Sequence, residues 1–249
     1  MTFALPAGIG MSRVHVYSSQ APDGQCGGTP HMHLACTELY VALEGRGAAE
    51  FLTPDGIHRT ELRPGDAVQF TPGTIHRLIT GPEPETALRI LVVMENGHLN
   101  EEGDVVFAFP DDDLADPERY ATLAAADTLE AARARRDHAV RGFTGLVDAW
   151  HTSPAHGRER LLAFYRRAAA LVHHRAAEWP RVVAEGPARN LARLTARAEA
   201  VAAGDVSHLE QATVTELAAP RPASMTPRMC GTLWPYRPDG TTGTAPGVS

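Results

Sequence analysis

Lysine is absent from the 249 residues, and all 23 basic side chains are arginines. Schiff-base chemistry, a pyridoxal-phosphate lysine and a phosphate-loop lysine are therefore excluded. Cysteine is scarce. Cys26, Cys36 and Cys230 show no metal-finger spacing and leave an odd thiol, which fits a reducing compartment. Cys36 reads as a small residue in a tight turn, since no adjacent base marks it as reactive. No apolar run approaches the length of a membrane span, and Met1-Thr-Phe-Ala-Leu-Pro lacks the basic stretch of a secretory signal. The expectation is a cytoplasmic protein without membrane association. Basic charge is also short: 30 acids outweigh the arginines, for a formal net charge of −7. Residues 1–114 carry 6 arginines against 16 acids, and residues 115–249 carry 17 against 14. The Arg133-Ala134-Arg135-Arg136 cluster is too short and too mixed with acids to suit a phosphate backbone, so a small molecule is expected as partner and nucleic acid is not.

What the chain does hold is a set of imidazoles at strand-and-turn spacings. In extended backbone His31 and His33 share a face, with Met32 opposite. Leu34 to Thr37 can turn the chain, and Glu38 then opens a strand on which Glu38, Tyr40 and Ala42 share a face. A carboxylate can thus meet the two imidazoles across a strand pair. His76 follows Pro72-Gly73-Thr74, a turn signature that ends one strand and aims the next. Three imidazoles and one carboxylate on a single ion leave two positions open in an octahedral shell. That suits Fe(II), Mn(II), Ni(II) or Co(II), with Zn(II) possible at lower coordination.

These two blocks resemble the paired motifs of the cupin superfamily. Its first motif, G-x5-HxH-x3,4-E-x6-G, is matched by His31, His33, Glu38 and Gly45, with Gln25 in place of the opening glycine. Its second, G-x5-PxG-x2-H-x3-N, is matched by Gly65, Gly73 and His76, with Thr71 for the first proline and Thr80 for the asparagine. The resemblance covers roughly residues 10–110. It implies a mainly β fold, a double-stranded β-helix (cupin, jelly-roll) barrel, with one divalent metal ion per chain on His31, His33, Glu38 and His76. It also implies pairing into a homodimer.

Short alternating segments support strands over this interval: Val14–Tyr17, the Gly47–Thr53 and Ile57–Leu62 hairpin arms around Pro54-Asp55-Gly56, Asp66–Phe70, His76–Thr80 and Leu88–Met94. After Asp113 the composition turns to Ala, Arg and Leu. Leu129, Arg136, Val140, Phe143, Val147 and Trp150 trace one stripe of a helix starting near Asp127-Thr128. A second helix is predicted from Ser153-Pro154 to Trp179, with Leu161, Leu162, Tyr165, Ala169, Val172 and Ala176 near one face and Pro180 ending it. A third spans Ala188–Ala203 and stops at Gly204, and Val206–Leu217 allows another turn or two. The organisation reads as a cupin barrel with the metal site at 1–112, a C-terminal α-helical extension at 113–219, and an irregular tail at 220–249. The extension packs on the barrel or a dimer partner. Trp150, Tyr165, Trp179 or the Met225–Tyr236 segment can line or close the pocket.

Two open metal positions admit a bidentate oxygen ligand such as a keto acid, enediol, catechol or hydroxy acid. With Fe(II), favoured here, the expected chemistry is oxygenation. Zn(II), Ni(II) or Mn(II) would instead serve a redox-neutral isomerase, epimerase or lyase of a sugar-like or acidic metabolite. A binding protein without turnover is the third reading. Candidate acid, base or hydrogen-bonding residues facing inward are Tyr40, His15 and Gln69, with Tyr17 beside them. Arg77 and Arg89 are candidates to hold a carboxylate, although Arg77 alternates away from His76.

Overall fold

The computed structural model describes residues 5–97, 99, 103–217 and 225–236. In chain order the strands are β1 (Gly10–Val16), β2 (Cys26–Gly27), β3 (His31–His33), β4 (Glu38–Glu44), β5 (Gly47–Thr53), β6 (Gly56–Leu62), β7 (Ala67–Phe70), β8 (Ile75–Thr80), β9 (Arg89–Met94), β10 (Val105–Phe107), β11 (Thr226–Pro227) and β12 (Gly231–Pro235). They form two antiparallel sheets. One runs β11-β12-β1-β9-β4-β7, and the other runs β10-β3-β8-β5-β6 with β2 also paired to β8.

Alternation explains the layers. On β9, Ile90, Val92 and Met94 are buried while Arg89, Leu91 and Val93 are half-buried. On β4 the buried set is Glu38, Tyr40 and Ala42. These side chains meet Ala49, Phe51 and Leu78 of the opposite sheet in one core between the sheets. The middle of the second sheet is buried on both faces, as β8 shows with six consecutive buried residues, while its edge strand β6 is largely exposed. Its outer face, through Met32, Leu52 and Ile75, packs on helices.

Those helices are α1 (Asp111–Leu114), α2 (Pro117–Ala124), α3 (Leu129–Thr152), α4 (Pro154–Ala176), α5 (Trp179–Val183) and α6 (Arg189–Ala202). Thr128 caps α3 by accepting from Ala131 N, and Ser153 caps α4 by accepting from His156 N. The extension therefore covers its own chain's sheet, with Phe143, Leu146, Leu161, Phe164, Ala168 and Val172 in the contact.

The buried faces differ from the expected stripes. Leu129 and Leu162 are exposed, whereas Ala132, Arg135, Ala139, Phe164 and Leu171 are buried. Small residues set this rotation by letting backbones approach. A Cβ at Gly142 would stand 2.2 Å from the Ala108 carbonyl oxygen. The second helix ends at Ala176, three residues short of the expected Trp179, but Pro180 does not stop helical structure. It occupies the first turn of α5, where its missing N–H costs nothing, and the chain continues through a π-helical turn at Ala184–Ala188 into α6.

The expectation of an irregular tail at 220–249 needs correcting over its described part. β12 pairs antiparallel with β1, from Ser12 against Pro235 to Val16 against Gly231. The unpaired edge of β1 is what recruits it, because its backbone groups need partners. Residues 218–224 and 237–249 lie outside the described residues. No described helix is long and apolar enough to cross a membrane.

Candidate metal centre

β3 carries His31 and His33 into the space between the sheets and sends Met32 to the helix side. β8 is its neighbour, and His76 sits in register opposite His31. Glu38 arrives differently from the sequence expectation. β4 belongs to the other sheet, so the carboxylate faces the imidazoles across the interior and not across a strand pair. One ligand atom from each of the four residues lies within 4.8 Å of the others. All four side chains are 4 % exposed or less.

The rings are aimed by their far nitrogens. His31 Nδ1 donates to the Thr29 carbonyl at 2.7 Å, and His76 Nδ1 donates to the Thr74 carbonyl at 3.0 Å. Because a carbonyl only accepts, the protons sit on Nδ1 and the Nε2 lone pairs are free. Those two Nε2 atoms stand 3.1 Å apart. Glu38 Oε2 lies 3.2 Å from His76 Nε2 and 3.4 Å from His33 Nε2, yet no hydrogen bond of good geometry satisfies it. Lone pairs converging on one buried point, with an orphaned carboxylate oxygen beside them, fit a divalent cation.

Electrostatics follow from this crowding. Burial, then the neighbouring His76 and His33, hold His31 well below the ordinary imidazole range. Burial opposes charge on His33 as well, but Asp104 and Glu38 outweigh it and raise its pKa to about 9. Glu38, disfavoured by burial, is held well below the carboxylate range by His33 and His76. Asp104 escapes sequence reading because it follows Glu101-Glu102-Gly103 and reads as one more acid of a polar turn. It is fully buried, its carboxylate accepts from the backbone N–H groups of Leu34, Ala35 and Cys36, and it stands 3.4 Å from His33 Nδ1. It fixes the turn between β3 and β4, and its charge faces His33 Nδ1 without a hydrogen bond of good geometry.

Of the other candidates, Tyr40 is inward and fully buried, its ring edge-on to His76 at 6.0 Å and its hydroxyl 3.7 Å from Cys230 Sγ. Burial first, then Cys230 and Glu38, keep that hydroxyl protonated. Gln69 and His15 are not inward. Gln69 is exposed between inward Val68 and Phe70, opposite Leu39, so strand parity puts it outside. His15 shares the outer face with its partner Arg89, while Val14 and Val16 enter the core. Tyr17 is buried and donates its hydroxyl hydrogen to the Arg228 carbonyl at 2.8 Å.

Arg77 faces the helices, bonded to Asp23 at 2.6 Å and Glu50 at 2.7 Å with its guanidinium over Phe143. Arg89 pairs with Glu44 at 2.5 Å on the outer face. Both are already neutralised. Trp150 lies on the helix side, and Tyr165 donates to the Gly73 carbonyl at 2.6 Å, tying α4 to the turn before His76. Gly73 holds φ near +87°, a left-handed value that favours glycine. Met229 and Cys230 do reach the interior: the Thr29 N–H donates to the Met229 carbonyl at 2.8 Å, and Cys230 belongs to the core between the sheets. A separate cavity of about 120 Å³ is lined by Phe109, Asp111, Arg141, Arg160 and Phe164 among others, and none of the four cluster residues lines it.

No protein-family model and no curated protein sequence matches the chain. Among solved structures, it is similar to an oxalate oxidase at 19% identity and TM-score 0.32, covering 40% of this chain and 46% of that one. It is similar to Peruvianin-I, a cysteine peptidase from Thevetia peruviana latex, at 17% identity and TM-score 0.30, over 36% and 52%. It is also similar to the capsular polysaccharide assembling protein CapF from Staphylococcus aureus at 14% identity and TM-score 0.31, over 40% and 25%. The chain thus spans about half the length of the first two, and likenesses this weak carry no argument about fold or function.

Proposed function

We propose that this chain is a metal-dependent enzyme of the cupin kind, a non-haem oxygenase of dioxygenase type acting on a small polar, oxygen-chelating metabolite. The carrying observation is the convergence of three imidazoles and one carboxylate, all buried, with two free Nε2 lone pairs 3.1 Å apart. His31, His33, Glu38 and His76 would hold one divalent ion, Fe(II) by preference, and the bound ion would supply Lewis acidity and one-electron chemistry at its open positions. Thr29 and Thr74 carbonyls hold two rings in the tautomer that ligation needs, and the Asp104 carboxylate stands 3.4 Å from Nδ1 of the third.

The rest of the interior favours oxygenation over proton abstraction. Tyr40 keeps its proton, and burial first, then Glu38, push the Cys230 thiol up to about 12. Both are hydrogen-bond donors near the cluster, and neither is a base at neutral pH. Phe70 and Phe51 complete an apolar surround that excludes water.

Metal content measured after purification without added metal, then oxygen uptake after anaerobic Fe(II) loading with diketones, catechols and keto acids, tests this reading. Uptake requiring both Fe(II) and one substrate supports the oxygenase. Zinc or nickel occupancy without uptake would favour an isomerase, epimerase or lyase. His33→Ala and Glu38→Ala should each lose stoichiometric metal, and full occupancy in both would overturn the ligand assignment.

A further inference from the structure

Two adjacent arginines on α3 are buried with opposite outcomes. Arg136 is 1 % exposed and saturated, bonding Asp137 at 2.8 Å, the Ser19 carbonyl and hydroxyl at 2.8 Å each and the Gln20 carbonyl at 2.9 Å. Arg135 is 9 % exposed and has a single bond, from Nη1 to the Ala124 carbonyl at 3.0 Å. Its Nε and Nη2 are buried with no partner among the described residues. These two nitrogens form one edge of the guanidinium, with parallel N–H donors spaced for the two oxygens of a carboxylate. A buried cation without a counter-ion is costly, so a missing anion is the simplest completion.

The position of that edge says where the anion belongs. Arg135 stacks on the Phe107 ring, 4.7 Å from its centroid. Phe107 pairs in register with His31, and directly opposed residues share a sheet face. The two rings are 6.4 Å apart. Phe107 therefore bridges Arg135 to the sheet face that carries the His31 ring. Burial acts against its charge and Arg228 adds to this, while Tyr17 and Tyr120 moderate it. No described acid pairs with it.

We infer that Arg135 is the substrate anchor, and that the substrate is a small organic acid whose carboxylate docks on Nε and Nη2 while a neighbouring oxygen reaches the metal. This rests on the metal reading above and narrows its substrate class from oxygen chelators in general to carboxylates. It also gives the helical extension a role at the site, since α3 delivers the anchor.

Calorimetric titration of the cobalt-loaded full chain with pyruvate, and with 2,3-butanedione as its uncharged counterpart, tests the anchor. Wild type should bind pyruvate the more tightly. Arg135→Met should weaken pyruvate by about tenfold or more and leave butanedione unchanged. Arg135→Lys, which keeps the charge but loses the fork, should fall between. The melting point of Arg135→Met should hold or rise, because a buried unpaired charge is removed. Equal affinity of wild type for both probes, or pyruvate affinity unchanged in Arg135→Met, overturns the anchor. Cobalt content read on the same samples separates the two claims. Absent cobalt in wild type defeats the metal reading alone, and the same pyruvate comparison on metal-free protein then decides Arg135.

Discussion

The two faces of the sheet β10-β3-β8-β5-β6 solve opposite problems. On the helix side, Met32, Leu52 and Ile75 meet Phe143, Leu161 and Phe164, and the buried cation that the sheet contributes, Arg77, is matched by Asp23 and Glu50. Area is removed from water there and charge is cancelled, so that face supplies stability. On the inner side, three imidazoles and Glu38 converge with lone pairs unpaired, and beyond Phe107 the Arg135 guanidinium keeps two buried donors unbonded. Buried polar groups left open weaken a fold. The inner face is held in this costly arrangement by the outer one, and the contrast separates residues that keep the chain folded from residues that bind.

Breaking the outer face should have the largest effect on stability. Phe164→Ala, at a fully buried position, should cost about 3–5 kcal/mol in urea unfolding while folded protein keeps its metal. A cost below about 1 kcal/mol would mean that the helix layer does not support the sheet. Thr80→Val comes next. Thr80 accepts from the Leu88 N–H at 2.7 Å, and orphaning that buried donor should cost about 1–3 kcal/mol.

Tyr165→Phe sharpens the comparison because it links the faces. Loss of the bond to the Gly73 carbonyl should lower stability by about 1 kcal/mol and weaken metal affinity severalfold, since that turn aims His76. Unchanged affinity would show the turn to be rigid without α4. The smallest effect belongs to Gln69→Ala. An exposed side chain outside both faces should alter stability by less than about 0.5 kcal/mol and leave metal content and turnover alone. A large loss of turnover would return Gln69 to the site.

Much of the centre was legible because its spacing is local. Period-two alternation puts His31 and His33 together, and a turn signature aims His76. The same rule, applied from Phe70 or from Val14 and Val16, would have turned Gln69 and His15 outward. Asp104 and Arg135 carried no such signal. Arg135 reads as one member of an arginine cluster, and Asp104 as one more acid after Glu101-Glu102-Gly103. Their burial depends on elements far away in the chain.

The four members of the candidate cluster, the strand periodicity, the caps of α3 and α4 and the exclusion of lysine chemistry were determined by sequence alone, because backbone geometry imposes periods of two and 3.6 on neighbouring residues. Tertiary structure decided that Glu38 enters from the opposite sheet, that β12 covers the edge of β1, and that Arg136 is satisfied while Arg135 is not. Those outcomes depend on which distant groups share a desolvated space. Only the packed chain sets that, since a charge is matched or left open by whatever folding brings against it.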